Sequence, residues 1–254
     1  MSDTLAQNPY AAPSSALQEQ HNSQVPSIEE ALSRGYDFSI GGLISESWGL
    51  LKGTKGIILG GFIVFYIAMF VIAFVLGMGT ALLGLAGGED SMGMMITSQI
   101  VSTLVITVLT YPFMAGLMMI GIRRAAGQPL SFNEIFSHFG RAVPLIITAL
   151  VMTLLVYLGM LLLLIPGIYL SIAYLLAIPL VVERGLSPWR ALEASRKAIS
   201  QHWFKVFGLF FVLMLIMLLS MIPLGIGLIW TLPLMIVTIG VLYRTIFGVL
   251  PPSN

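Results

Sequence analysis

Charged side chains are scarce in this sequence. They make up 9% of its 254 residues, against about 25% in an average soluble protein. Hydrophobic residues make up 57%, and the mean hydropathy is +0.97. This composition excludes an ordinary cytosolic enzyme and predicts an integral membrane protein. The 12 basic and 11 acidic residues leave a formal net charge of +1, which argues against a globally basic protein that binds nucleic acid.

The residues and motifs of enzyme chemistry are also missing. Cysteine is absent, which suits a reducing compartment but does not assign one, because a helix bundle needs no disulfides. The sequence has no nucleophile-elbow, zinc-protease or P-loop motif. The three histidines, His21, His138 and His202, have no cysteine or carboxylate pair near them in the sequence. We therefore expect no catalytic residue, no metal site and no cofactor, and a protein that is not an enzyme.

Four long segments carry no formal charge. They contain 33, 32, 41 and 38 residues and lie at 56–88, 91–122, 142–182 and 206–243. One crossing of a bilayer takes about 20 residues, so each of the last two segments is long enough for two crossings. The motif Ile165-Pro166-Gly167 and the proline- and glycine-containing stretch 222–227 divide these two segments, because proline and glycine favour turns.

These breaks predict an all-α polytopic membrane protein with six transmembrane helices in three hairpins. The hairpins cover about 56–122, 142–183 and 206–243. The fourth helix is short for a full crossing. The six helices are expected at about 57–80, 97–122, 142–165, 168–183, 206–222 and 226–243.

The remaining regions differ in composition. Residues 1–26 are rich in Ser, Gln, Ala and Pro, which predicts a disordered cytoplasmic tail. Within it, Asn8-Pro9-Tyr10 is either a docking motif or part of a solvated segment. We expect cytoplasmic or interfacial amphipathic helices at 27–55, the membrane domain at 56–247 and a short cytoplasmic tail at 248–254.

A short amphipathic segment precedes each predicted hairpin. Ile40, Ile44, Trp48 and Leu51 recur at helical spacing before the first. Ser131 and Glu134 have the spacing of a capping box before the second, and Ser187-Pro188 has the form of a helix start before the third. Ser27 begins another capping box, which predicts a helix to about Arg34. The pattern predicts three repeats, each with a short interfacial helix ahead of its hairpin.

The signs of the charges predict an orientation. All 12 basic residues fall on one side of the predicted spans, and the other side has only Glu89 and Asp90. Because loops rich in Lys and Arg stay in the cytoplasm, both termini are expected there.

Two groups of polar residues are candidate functional sites. Ser98, Gln99, Ser102 and Tyr111 lie on the second predicted span, where they either line a polar path or hold helices together. Between the fourth and fifth spans lie four basic residues, which either form a solvated helix face or hold anionic lipid headgroups while nearby aromatic rings insert. These candidate lipid contacts are Arg190, Arg196, Lys197 and Lys205.

One stretch of the sequence resembles a known bacterial group. Its residues include Leu164 to Tyr169, Gly185-Leu186-Ser187, Ala191 to Ser195, Trp203 and Tyr243-Arg244. They are similar to those of six-helix inner-membrane proteins with a domain of unknown function, including the YciC-like proteins, and to the membrane domain fused to some glycerophosphodiester phosphodiesterases. The resemblance implies an all-helical protein of a bacterial cytoplasmic membrane, without the phosphodiesterase activity, because that catalytic domain is missing.

The charge-free spans favour a particular class of function. Proton carriers and charged-substrate sites place Asp, Glu, Lys or Arg inside the membrane, and the predicted spans have none. We therefore expect a non-enzymatic scaffold or membrane-homeostasis factor whose partners are membrane lipids and either another membrane protein or a second copy of itself. The alternative is a transporter, or a transporter subunit, for a small or amphipathic substrate.

Overall fold

The computed structural model describes residues 25–86 and 91–252, and the regular elements within them are helical, with no strand. The predictions for residues 1–24 of the tail, including Asn8-Pro9-Tyr10, and for Glu89 and Asp90 lie outside these residues. A 3₁₀ segment, Phe132–Arg141, precedes the fifth α-helix. In chain order the α-helices are α1 (Ile28–Arg34), α2 (Ile40–Gly49), α3 (Lys55–Ala86), α4 (Ser91–Ala125), α5 (Ala142–Leu162), α6 (Leu164–Ala173), α7 (Ala177–Glu183), α8 (Pro188–Ser200), α9 (Trp203–Met221) and α10 (Leu228–Phe247).

Six helical segments of the described chain are long and apolar enough to cross a membrane. This confirms the prediction of an all-helical protein with six candidate transmembrane helices. The six segments are Lys55–Leu82, Ile96–Ala125, Phe132–Leu162, Leu164–Glu183, Trp203–Met221 and Leu228–Phe247.

Local sequence signals set the starts of two short helices. The Ser27 hydroxyl accepts a hydrogen bond of 3.1 Å from the Glu30 amide, and α1 ends at Arg34 as expected. Helix α8 begins at Pro188, directly after Ser187. The capping box expected at Ser131 does not form, because the Glu134 carboxylate instead pairs with Arg123 at 2.5 Å and the segment folds as a 3₁₀ helix.

Helices α4 and α10 make the largest helix–helix contact, and glycines allow it. A Cβ atom at Gly240 would lie 2.6 Å from the Ile122 amide nitrogen and closer still to the Gly121 carbonyl group. A Cβ at Gly121 would in turn lie 3.0 Å from the Ile236 carbonyl carbon. The two backbones therefore touch, as small residues allow between membrane helices.

The 3₁₀ segment packs between α3 and α4. Its Ile135 side chain is fully buried, and a Cβ at Gly61 of α3 would lie 2.5 Å from the Ile135 Cδ1 atom. On the other side, a Cβ at Gly116 of α4 would lie 2.6 Å from the Ile135 carbonyl carbon. Glycines thus bring this segment against both α3 and α4.

The fourth candidate span is interrupted between Ala173 and Ala177. Proline at position 179 has no amide hydrogen to bond the carbonyl of Leu175, and its ring crowds that carbonyl. At this proline the helix ends and begins again, where proline elsewhere often only bends a helix. Pro112 and Pro233, by contrast, lie inside the continuous helices α4 and α10.

Two contacts join residues that upright hairpins would place on opposite membrane faces. The Lys55 ammonium lies 5.2 Å from the centroid of the Trp230 ring, although these residues begin α3 and α10. The Tyr169 ring, near the start of α6, lies 6.1 Å from the Trp203 ring at the start of α9. Because the hydrocarbon core is about 30 Å thick, the helices cannot all stand upright between two flat faces. The three hairpins stay a prediction, and such hairpins in the described chain must be tilted.

The glycine contact between α4 and α10 gives a first prediction. Gly240→Ala should lower the free energy of unfolding by about 1–3 kcal/mol, because the added methyl group meets backbone atoms that cannot move aside independently. Gly77→Ala is the matched control, since a Cβ there has no neighbour within 4 Å. Unfolding followed by circular dichroism in detergent measures both. Equal stability of the two variants would contradict the close packing.

Candidate functional site

Helix α8 has a buried face and an outer face. Small residues dominate the buried face, which consists of Ala191, Leu192, Ala194, Ser195, Ala198 and Ile199. The charged side chains Arg190, Glu193, Arg196 and Lys197 share the outer face. Trp189 also lies among the charged residues and is 63% exposed.

Ser195 binds both backbone groups at the interruption of the fourth span. Its hydroxyl donates to the Ala173 carbonyl at 2.7 Å and accepts from the Leu176 amide at 3.1 Å, and the side chain is fully buried. An unpaired backbone group away from water costs several kcal/mol (about 2–7), so one serine stabilises a break that would otherwise be unfavourable. Sequence reasoning did not single out Ser195, although its position on the inner face of an amphipathic helix is a usable signal.

Three of the four candidate lipid contacts already have acidic partners. Arg196 forms a bidentate pair with Glu193, with its Nη2 atom 3.0 Å from Oε1, and the Lys197 ammonium lies 3.3 Å from the same oxygen. Lys205 pairs with Asp37 at 2.5 Å. Arg190 is exposed and has no such partner among the described residues. Two cations thus share Glu193, and this cluster keeps an excess of positive charge, whereas Asp37 neutralises Lys205.

The acidic partners titrate below their ordinary range. The hydrogen bond from Arg196 lowers the pKa of Glu193, and the hydrogen bond from Lys205 lowers the pKa of Asp37. Since both carboxylates are lowered, the pairs persist at neutral pH and weaken only as the pH falls through these depressed values. Solvent screens such exposed pairs, so they set local charge more than they stabilise the fold.

An apolar groove lies between the start of α6 and the start of α9. Its volume is about 680 Å³, within the usual 300–1,000 Å³ range of small-molecule sites. Trp203 donates its indole hydrogen to the Tyr169 carbonyl at 3.2 Å, and the Tyr169 and Ser200 hydroxyls lie 2.5 Å apart at the rim. The lining residues are Ile165, Pro166, Ile168, Tyr169, Trp203, Phe204 and Phe207.

The four residues of the candidate polar path do not meet at one place. Gln99 is exposed, Ser98 and Ser102 are half-buried, and Tyr111 packs against the buried core. Ser98 and Tyr111 lie about 20 Å apart along the α4 axis, at 1.5 Å per residue. None of the four lines the groove between α6 and α9.

Several arginines hydrogen-bond the main chain near helix ends, a role that sequence reasoning did not predict. They donate to main-chain carbonyls near helix ends, where carbonyls lack partners and the helix dipole favours a cation. An arginine in or just after the last turn of a predicted helix is the signal for such bonds. The pairs are Arg34 with Ile246, Arg124 with Leu50 and Lys52, Arg141 with Val182, Arg184 with Phe247 and Pro26, and Arg244 with Ala125.

Glu183 is a second residue that sequence reasoning missed. Its carboxylate accepts hydrogen bonds of 2.6 Å from the Tyr243 hydroxyl and the Leu250 amide, and it lies 2.8 Å from Arg184. It thereby joins the end of α7 to α10 and to the chain that follows. The described residues contain no group of three His, Cys, Asp or Glu side chains that could hold a metal ion.

Comparisons with protein-family models, with curated proteins and with solved structures find no match to this chain. The resemblance to bacterial six-helix inner-membrane proteins therefore stays a prediction from its residues.

The interrupted span gives a second prediction. Ser195→Ala removes both hydrogen bonds to the break and should lower the free energy of unfolding by about 1–3 kcal/mol. It should also speed hydrogen exchange at the Leu176 amide. Ser171→Ala is the control, because that exposed hydroxyl bonds only a carbonyl of its own helix. Unchanged exchange at Leu176 in Ser195→Ala would show that Ser195 does not hold the break.

Proposed function

We propose that this protein is a non-enzymatic membrane scaffold or membrane-homeostasis factor, which acts through contacts with lipids or with another membrane protein. The observation that carries this proposal is the backbone contact of α4 with α10 at Gly121 and Gly240. It brings the two main chains into contact and leaves no room for a path between α4 and α10. The surfaces left for binding are the outward ones.

The outward surfaces suit a lipid environment. Phe70 of α3, Leu161 of α5 and Phe204 of α9 are 72%, 83% and 83% exposed. Apolar surface on this scale marks membrane or protein contact. Around it, the arginines bound to helix ends and the charged face of α8 supply a polar region typical of a membrane–water boundary.

We further propose a bacterial cytoplasmic membrane with both termini in the cytoplasm. Hydrogen bonds between the ends of α1, α7 and α10 support the placement of the basic residues on one side of the membrane. Arg34 of α1 and Arg184, directly after α7, both donate to main-chain carbonyls at the end of α10. The threefold repeat belongs to the same proposal. Its support is that α2, the 3₁₀ segment and α8 each precede one long apolar pair of helices.

A transporter is the second candidate function, and the interrupted span is the observation that favours it. Transporters build substrate sites at broken helices whose freed backbone groups face the substrate. Here Ser195 already binds the Leu176 amide and the Ala173 carbonyl. The scaffold is therefore the better supported of the two.

Purification in nanodiscs without added lipid tests the proposal. We expect lipids, a membrane protein or both to co-purify at a higher proportion than in the source membrane. The control is an unrelated six-span protein purified from the same membrane. Co-purified material identical to that of the control, together with solute uptake in proteoliposomes, would instead support a transporter.

A further inference from the structure

We propose that the groove between α6 and α9 binds one acyl chain of an anionic glycerophospholipid, whose phosphate lies at the rim formed by Tyr169, Arg196, Lys197 and Ser200. This inference rests on the proposed function and names the ligand class for one of its surfaces.

The residues that line the groove suit a hydrocarbon ligand. It is built from aliphatic and aromatic side chains, and the indole hydrogen of Trp203 is already bound to the Tyr169 carbonyl. A polar ligand would lose its hydrogen bonds to water here without replacing them. Phe204 beside the groove is 83% exposed, so a chain can enter from the side.

The residues at the rim of the groove suit an anionic group. Glu193, Arg196, Lys197 and Ser200 follow the i, i+3, i+4, i+7 spacing and share one face of α8. Arg196 and Lys197 have only Glu193 to balance them, so one positive charge remains. The Ser200 hydroxyl and its neighbour Tyr169 mark where this face meets the groove. The Tyr169 hydroxyl donates to Ser200, whose own hydrogen bonds the Arg196 carbonyl. Arg196 and Lys197 therefore supply the net positive charge that a phosphate meets at this rim.

The other candidate basic residues are excluded from this site by position or charge. Asp37 neutralises Lys205. Arg190 precedes Arg196 by nearly two turns, which is about 9 Å along the helix axis. Arg190 is therefore the matched control for Arg196, since both are arginines on the outer face of α8.

Quenching of Trp203 fluorescence by brominated lipids tests the site. The other three tryptophans are replaced by phenylalanine (W48F, W189F and W230F), and the protein is placed in phosphatidylcholine vesicles. Brominated phosphatidylglycerol at low mole fraction should quench Trp203 more strongly than brominated phosphatidylcholine at the same fraction. Equal quenching by the two lipids would overturn the anionic preference.

Variants separate the site from diffuse surface charge. Arg196→Gln should weaken the apparent association of phosphatidylglycerol about fivefold, as expected for one charge near a membrane surface, whereas Arg190→Gln should change it less than twofold. Arg196→Lys should keep most of the preference for phosphatidylglycerol. This variant controls for loss of binding through misfolding, because it changes the same residue but keeps its charge. An equal loss in Arg190→Gln and Arg196→Gln would overturn the rim assignment.

A separate variant tests the acyl chain itself. Ile168→Trp fills the groove and should reduce quenching by both brominated lipids, after correction for the fluorescence of the new tryptophan measured in a W203F background. Undiminished quenching would show that no chain occupies the groove. If lipids still co-purify while these variants have no effect, the groove assignment fails and the broader proposed function stands.

Discussion

The backbone contact between α4 and α10 is the constraint on which the rest of this structure depends. Without a Cβ at Gly121 or Gly240, the two helices approach until their main chains touch. That approach brings the end of α10 to the end of α4, where Arg244 bonds the Ala125 carbonyl at 2.6 Å. It also presents Tyr243 to Glu183, which draws α7 into the same assembly. In the proposed function, this close contact leaves the outward surfaces of the protein for binding.

The few charged side chains of this chain have two different roles. Arginines such as Arg124 and Arg184 bond main-chain carbonyls at or next to the ends of helices α2 and α10. On the outer face of α8, by contrast, Arg196 and Lys197 share the single carboxylate of Glu193 and retain positive charge. The first group holds helices together, and the second remains available to an anionic partner. This division explains how so small a number of charges supports both the fold and a surface.

Sequence reasoning succeeded where the signal is local. Apolar length predicted six candidate spans, a capping box at Ser27 predicted α1, and Ser187-Pro188 predicted the start of α8. It failed where distant residues decide. The break after Ala173 is held by Ser195 from another helix, and the contact of Lys55 with Trp230 depends on how the helices tilt. Neither is visible in hydrophobic periodicity, because that pattern reports burial and not the partner.

The closed centre can be tested directly in this cysteine-free chain. Thr238 of α10 is fully buried near Gly240. Its hydroxyl has no hydrogen-bond partner among the described residues. If a hydrated path ran through the centre, water would reach this hydroxyl. Thr238→Cys in nanodiscs should react with a membrane-impermeant maleimide only after unfolding, whereas the exposed Ser33→Cys should react at once. Reaction of folded Thr238→Cys at a rate similar to that of Ser33→Cys would contradict a closed centre and indicate a hydrated path.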